Sequence, residues 1–372
     1  MTQTNPDSGY PYVRFDRLTF LGLLDSCLEE TEIALLRQRV GAWRDAVAGA
    51  IVTTSALAWQ PPDGSEEDLD TVELRRDVLL EDLDQVLEAR TLRRAAYYLS
   101  RLRKATCEAR TSPINDVNLN RWKEYEEILT DSLWLVDRRD TSGAHGAWYW
   151  GNFIPQIPRQ MMLRYTKAGD WVLDPFLGSG TTLIECRRLG RNGIGVELNP
   201  EVAARAEDVV AKQPNSHQVI TDIAVGDSAS IDYVSLLAAH GVDQVQFLIL
   251  HPPYHDIIRF GDGGADLSNA PTVDAFIDRF SDVVARARQV LAPRRYLAVV
   301  IGDKYQGGEW IPLGFRAMQA VMTQGCTLKS IVVKNLDKTR AKRDQQALWR
   351  YRALVGGFYV FKHEYIFVFQ TP

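Results

Sequence analysis

One stretch, Val172-Leu-Asp-Pro-Phe-Leu-Gly-Ser-Gly-Thr-Thr-Leu-Ile-Glu185, constrains this chain more than any other. A short apolar run ends in an acid, Asp174, and the turn Gly178-Ser179-Gly180 follows. Helical spacing then runs from Thr181 to Leu189 and stops at Gly190. The pattern is a strand, a tight loop and a helix start. The glycines let the backbone approach a ligand, and the helix start offers it unpaired N–H groups. Taken alone, such a turn suits NAD, a flavin or another nucleotide-like ligand.

The rest of the chain sets that turn in a sheet. Past residue 140, short apolar runs at 171–173, 193–196, 219–221, 246–250, 296–301, 329–333 and 364–369 alternate with helix-like stretches at 181–189, 200–211, 273–291 and 312–323. Strands separated by helices predict a doubly wound, mostly parallel α/β sheet with its ligands at the carboxyl ends of the strands. The final run has no helix inside it and predicts an antiparallel strand near the sheet edge. Earlier residues behave differently. Over 14–59, 72–87, 92–106 and 121–135, apolar positions recur every three or four residues, broken by an acidic loop with prolines at 60–70. The expected division is an α-helical module over 1–140 and a sheet domain over 141–372.

Composition excludes several classes. A chain with 45% apolar and 24% charged residues is a soluble globular protein. Its formal net charge of −5 means that any nucleic-acid contact must come from local basic patches. Cys27, Cys107, Cys186 and Cys326 form no Cys-X-X-Cys pair, which argues against a zinc site or a disulfide framework. The first residues are not a signal peptide, and no apolar run is long enough to span a bilayer. A cytoplasmic protein with no metal and no membrane partner is expected.

Two basic patches stand out. Arg93, Tyr97, Arg101 and Lys104 are spaced to share one side of a helix, either as a phosphate-binding face or as a solvated face over a packed tyrosine. From 329 to 352, Lys329, Lys334, Lys338, Arg340, Lys342, Arg343, Arg350 and Arg352 stand against Asp337 and Asp344, with Trp349 and Tyr351 interleaved. This segment is a phosphate-contact candidate or a solvated charged loop.

A second stretch carries the chemistry. In Phe247-Leu-Ile-Leu-His-Pro-Pro-Tyr-His255 a buried strand runs into two prolines and an aromatic. The prolines fix φ, so the carbonyls around His251 and Pro252 point outward with little freedom, and Tyr254 offers a flat stacking surface. Such a turn suits an exocyclic amine of a nucleobase. Accepting its N–H bonds draws the nitrogen towards a tetrahedral geometry and frees its lone pair. The ordinary alternative is a proline-stiffened turn. Glu197 follows the glycine loop where doubly wound folds hold a ribose. Asp227, ending another run, is either an acceptor for an adenine amine or a plain turn aspartate.

Asp174-Pro-Phe-Leu-Gly-Ser-Gly-Thr-Thr182 together with His251-Pro-Pro-Tyr254 resembles the amino-group DNA methyltransferases, which act on N6 of adenine or N4 of cytosine. The resemblance covers roughly residues 145–372. It implies a seven-stranded Rossmann-like methyltransferase sheet, S-adenosylmethionine as cofactor, and double-stranded DNA as partner with the target base flipped. It implies that Asp174, Phe176, Gly178, Gly180 and Thr181 form the cofactor site, with Glu197 on the ribose and Asp227 on the adenine. Asn152 and Phe153, in Gly151-Asn-Phe-Ile-Pro-Gln-Ile-Pro158, fall where the family touches the methionine end. His251, Pro252, Pro253 and Tyr254 are the implied catalytic residues. Lys334, Lys338, Arg340, Lys342, Arg343, Arg350, Arg93 and Arg101 are the nucleic-acid candidates. A homodimer and a cognate restriction endonuclease are further partners that the resemblance allows.

Two departures qualify it. The cofactor motif precedes the catalytic one, where members with this wording often have the reverse order. His251 stands where the family has Asp, Asn or Ser. A neutral imidazole accepts one hydrogen bond but presents no carboxylate, which tilts the expectation towards N4-cytosine over N6-adenine. Methylation of an RNA base amine, and a degenerate fold that only binds nucleic acid, remain the rival readings.

Overall fold

The computed structural model describes residues 12–49, 70–336 and 346–372. The chain forms two compact units, Met1–Pro113 with Val117–Ile128, and Ile114–Asp116 with Leu129–Pro372. The division therefore falls at Ile128/Leu129, a little before the expected residue 140. The reason is visible in the core of the second unit, where Trp134 is buried with Ile157 and Met161, and Leu129 packs alongside. Nor is 121–135 a helix. A 3₁₀ turn, Leu119–Glu124, is broken at Arg121 (φ −119°).

The first unit comprises β1 (Tyr12–Asp16), α1 (Arg17–Leu28), α2 (Ile33–Gly49), β2 (Thr71–Arg75), α3 (Arg76–Glu88) and α4 (Leu92–Cys107). It is mostly helical, but β1 and β2 pair antiparallel, from Tyr12 opposite Arg75 to Asp16 opposite Thr71. Each strand runs straight into a helix, so a helical periodicity conceals it. Asp16 accepts from the Thr19 N–H and so caps α1. Phe20, Leu24, Leu36, Val40, Leu79, Leu83 and Leu99 make the core.

In the second unit the strands are β3 (Leu133–Trp134), β4 (Trp171–Asp174), β5 (Asn192–Glu197), β6 (Thr221–Val225), β7 (Val245–Leu250), β8 (Leu291–Ile301), β9 (Lys304–Gln306), β10 (Glu309–Ile311), β11 (Thr327–Asn335) and β12 (His363–Gln370). The helices are α5 (Gln156–Tyr165), α6 (Thr181–Leu189), α7 (Pro200–Ala211), α8 (Tyr233–Ala238), α9 (Val273–Gln289), α10 (Leu313–Thr323) and α11 (Gln346–Gly356). The main sheet has the order β3-β11-β12-β8-β7-β4-β5-β6. Its β4–β5, β4–β7, β5–β6, β7–β8 and β3–β11 ladders are parallel. The doubly wound, mostly parallel class is as expected. Among the described residues the sheet has eight strands, one more than the seven implied, because the short β3 adds an edge.

Strand β12 is antiparallel and lies near one edge of the sheet, as expected, but it is paired on both sides, with β11 and β8. Residues 364–369 are all buried, which is the pattern of a strand covered on both faces. Strands β4, β5 and β6 proceed one way across the sheet, and β7 and β8 the other. The order reverses between β4 and β7, where ligands collect in open α/β sheets. Val172 pairs with Phe247 and Leu173 with Leu248, so the Asp174 loop and the His251 turn leave the sheet side by side. Among the described residues, no helix is long and apolar enough to cross a membrane.

Candidate active site

The glycine loop is closed by its own neighbours. Asp174 is fully buried; its Oδ1 accepts from the Phe176 N–H (2.9 Å) and its Oδ2 from the Thr182 hydroxyl (2.5 Å). Burial raises its pKa to about 7, although both hydrogen bonds favour the charged form. Gly178 (φ +55°) and Gly180 (φ +82°) adopt the left-handed region. A Cβ on Gly180 would lie 2.8 Å from Val210 Cγ2 on α7, so only glycine lets α6 start there. Glu197, at the end of β5, accepts from the Gly178 N–H (2.9 Å) and the Asn199 N–H (2.9 Å), and desolvation raises its pKa.

The turn after β7 is wired differently. Phe153 meets the His251 ring edge-to-face, with centroids 4.8 Å apart. His251 Nε2 lies 3.3 Å from the Tyr254 hydroxyl, which donates to Glu364 Oε2 on β12 (2.8 Å). Lys334 Nζ on β11 donates to the other oxygen of Glu364 (2.9 Å). Burial pushes the His251 pKa down to about 4, Glu364 opposing and Lys334 reinforcing, so the imidazole is neutral at pH 7. Burial and the Glu364 carboxylate push the Tyr254 phenol up. Just beyond, His255 is buried at φ +54°, with Nε2 bonded to the Ala270 carbonyl and Nδ1 to Lys304 Nζ (2.6 Å).

Both turns open into one cavity of about 1760 Å³ within the second unit. Of the expected cofactor residues, Asn152, Phe153, Phe176, Gly178, Thr181, Glu197 and Asp227 line it. Asp174 and Gly180 are absent from that lining: they shape the loop. All four catalytic candidates, His251, Pro252, Pro253 and Tyr254, face the cavity. Asp227 also accepts from the Ala229 N–H (2.9 Å), the plain turn role, while still lining the wall. Tyr149 covers the glycine loop and stacks on Phe260 from the 255–269 loop, centroids 5.5 Å apart.

Sequence reasoning missed Glu364, Lys304 and Arg139. The Arg139 guanidinium donates to the Asn152 side chain (3.2 Å) and the Phe153 carbonyl (3.0 Å). Its Nε is buried with no hydrogen-bond partner, and burial lowers its pKa. No local pattern marks these residues, since each reaches the cavity through tertiary packing.

The nucleic-acid candidates separate. Lys334 is 3% exposed and ion-paired with Glu364, so it is not a free phosphate contact. Arg101 is likewise committed, donating to Asp82 (2.6 Å) and Gln85 (2.8 Å). Arg93 is exposed on α4, and Arg350 is exposed on α11. Arg352, also on α11, lies over the Trp349 ring at 5.2 Å, and both line the cavity. Lys338, Arg340, Lys342 and Arg343 lie outside the described residues.

A nucleotide-type loop and a proline-stiffened turn, side by side at the switch point of a doubly wound sheet and facing one cavity, define an α/β fold with a candidate ligand site. The model of the DNA methylase family matches residues 93–208, which include the glycine loop and Glu197 and end before β6. The chain is 41% identical over 86 residues to the Type II methyltransferase M.MjaII of Methanocaldococcus jannaschii, covering 21% of this chain and 16% of that protein. It is 43% identical over 70 residues to M.Cfr9I of Citrobacter freundii (19% and 22%) and 33% identical over 101 residues to M.SmaI of Serratia marcescens (25% and 33%). The matched segments thus span no more than a third of these relatives. The solved structure of TrmN from Thermus thermophilus overlaps 60% of this chain and 50% of its own, at 15% identity and a TM-score of 0.38. Over these segments the chain is similar to DNA methylases and Type II methyltransferases.

Proposed function

We propose that this protein transfers a methyl group from S-adenosylmethionine to an exocyclic amine of a DNA base, N4 of cytosine. The observation that carries this reading is the shared cavity, which brings the Gly178 loop and the His251-Pro-Pro-Tyr254 turn together. Its volume exceeds the roughly 300–1,000 Å³ of an ordinary ligand pocket, as a site for cofactor and base together requires.

The donor set fits S-adenosylmethionine. Glu197 and Asp227 are acceptors for ribose and adenine, and Arg139, with its unpartnered buried Nε, suits the carboxylate end. The cofactor supplies a methyl group on a positively charged sulfur. The chain's residues do the rest. Tyr254 and Phe153 confine the base, and the Pro252 region and His251 accept the amine hydrogens. As the new N–C bond forms and the S–C bond breaks, the surplus proton leaves the nitrogen towards His251 or water. The depressed pKa keeps His251 an acceptor at neutral pH. A histidine in place of an acid supports cytosine over adenine. Arg93, Arg350 and Arg352 are the proposed phosphate contacts, and the first unit is proposed to assist recognition.

The test is expression in a host free of base methylation, followed by modification-sensitive sequencing. N4-methylcytosine at one motif is expected. N6-methyladenine would overturn the choice of base, and methylated RNA beside unmodified DNA would overturn the choice of substrate.

A further inference from the structure

The catalytic turn lacks the family's side-chain acid, yet a buried carboxylate stands behind it. Glu364 is 5% exposed and comes from β12, 110 positions along the chain from Tyr254. Its two oxygens are used in full: Oε2 accepts from the Tyr254 hydroxyl at 2.8 Å and Oε1 from the buried Lys334 ammonium at 2.9 Å. Lys334 also donates to the Asn335 carbonyl (2.9 Å), which fixes its position. With its proton pointed at Glu364, the Tyr254 oxygen has only lone pairs to offer His251 Nε2, 3.3 Å away. Nε2 must then carry the imidazole proton. Nδ1 is left as the acceptor, and no described residue bonds it, while His251 lines the cavity.

We propose that Glu364 is a positioning residue that sets the His251 tautomer through Tyr254, with Lys334 holding the Glu364 carboxylate in place, so that the Nδ1 lone pair faces the substrate amine. The carboxylate absent from the turn is supplied by a distant strand and acts through two side chains. A third group that orients the ring of a catalytic histidine is a general device. The role assigned to Nδ1 rests on the proposed amine methylation; the tautomer does not.

The chain of donors predicts what Glu364→Gln does. An ammonium only donates, so the amide oxygen turns to Lys334 and the amide NH₂ turns to Tyr254. The Tyr254 hydroxyl must then donate to His251 Nε2, and the imidazole proton moves to Nδ1. Nitrogen-15 NMR of histidine-labelled protein reads this directly; the chain has six histidines, and His251→Asn identifies the relevant signal. The expected result is Nε2–H in the wild type and Nδ1–H in Glu364→Gln. The variant's kcat is expected to fall about 10- to 100-fold, the scale of one lost acid–base contact, with S-adenosylmethionine KM within about threefold. Tyr254→Phe cuts the relay but leaves the Glu364–Lys334 pair intact, and is expected to give mixed tautomers even if Glu364→Gln does not fold.

A wild type in the Nδ1–H form would overturn the proposal. So would a Glu364→Gln or Tyr254→Phe protein that keeps the wild-type tautomer. The NMR experiment needs neither cofactor nor nucleic acid. A tautomer switch in a protein that methylates no DNA would sink the methyltransferase reading and leave the relay standing.

Discussion

The two turns at the switch point are built on opposite principles. The glycine loop after β4 is held by residues close to it in sequence: Asp174 bonds Phe176 and Thr182, and Glu197 bonds Gly178 from the next strand. The His251 turn after β7 takes its hydrogen-bonding partners from β11 and β12, through Glu364 and Lys334. One turn carries most of its support within a single strand–loop–helix–strand unit, with Ser228 and Asn152 adding side-chain bonds to Pro175 and Ser179, while the other needs the whole sheet assembled. Substitutions in the first should therefore report on cofactor binding and local folding, and those in the second on turnover.

The largest expected effect lies in the second turn. His251→Ala should lower kcat by about 100-fold or more, the upper scale of acid–base contributions, while calorimetry finds S-adenosylmethionine affinity within about threefold. A parallel loss of cofactor affinity would break the separation. Glu197→Ala should do the converse. It removes the acceptor of two backbone N–H groups, and affinity for S-adenosylmethionine should fall about tenfold or more. Unchanged affinity would remove Glu197 from the cofactor site.

Gly180→Ala tests the loop's self-sufficiency. The positive φ and the approach to Val210 should cost about 1–3 kcal/mol, read as a lower midpoint in denaturant unfolding. The His251 prediction concerns pH. Its folded pKa is depressed from 6.5 to about 4, so the unfolded chain binds the extra proton between those values. The stabilisation is fully present above pH 6.5 and is lost as pH falls through 4, by at most ~3 kcal/mol. His251→Asn should flatten that part of the stability profile, and the acid limb of wild-type activity should lie below pH 5. The smallest effect belongs to Arg350→Ala, which should weaken DNA binding modestly and reduce the salt dependence by about one charge.

These contrasts explain what could be read in advance. The alternation of apolar runs with helical spacing gave the doubly wound sheet, since each element's period reflects the faces it buries. Strand β12 hid its pairing on both sides, because an apolar run shows that a strand is buried without naming its neighbours. Lys334 illustrates the same limit. In sequence it belongs to a basic cluster; in the fold it alternates inward along β11 and meets Glu364. Arg101 shares a helix face with Tyr97 in sequence, yet Asp82 on α3 claims it.

The sequence by itself determined the opening motif. A β-strand, two left-handed glycines and a helix start are short-range requirements, and Asp174, Gly178, Gly180 and Glu197 meet them within one unit. Only the tertiary structure decided what stands behind His251. Hydrogen bonds from Tyr254 to Glu364 and from Glu364 to Lys334 exist because β12 inserts antiparallel between β8 and β11. No local pattern encodes that pairing, because the free energy that selects it comes from burying a whole strand on both faces.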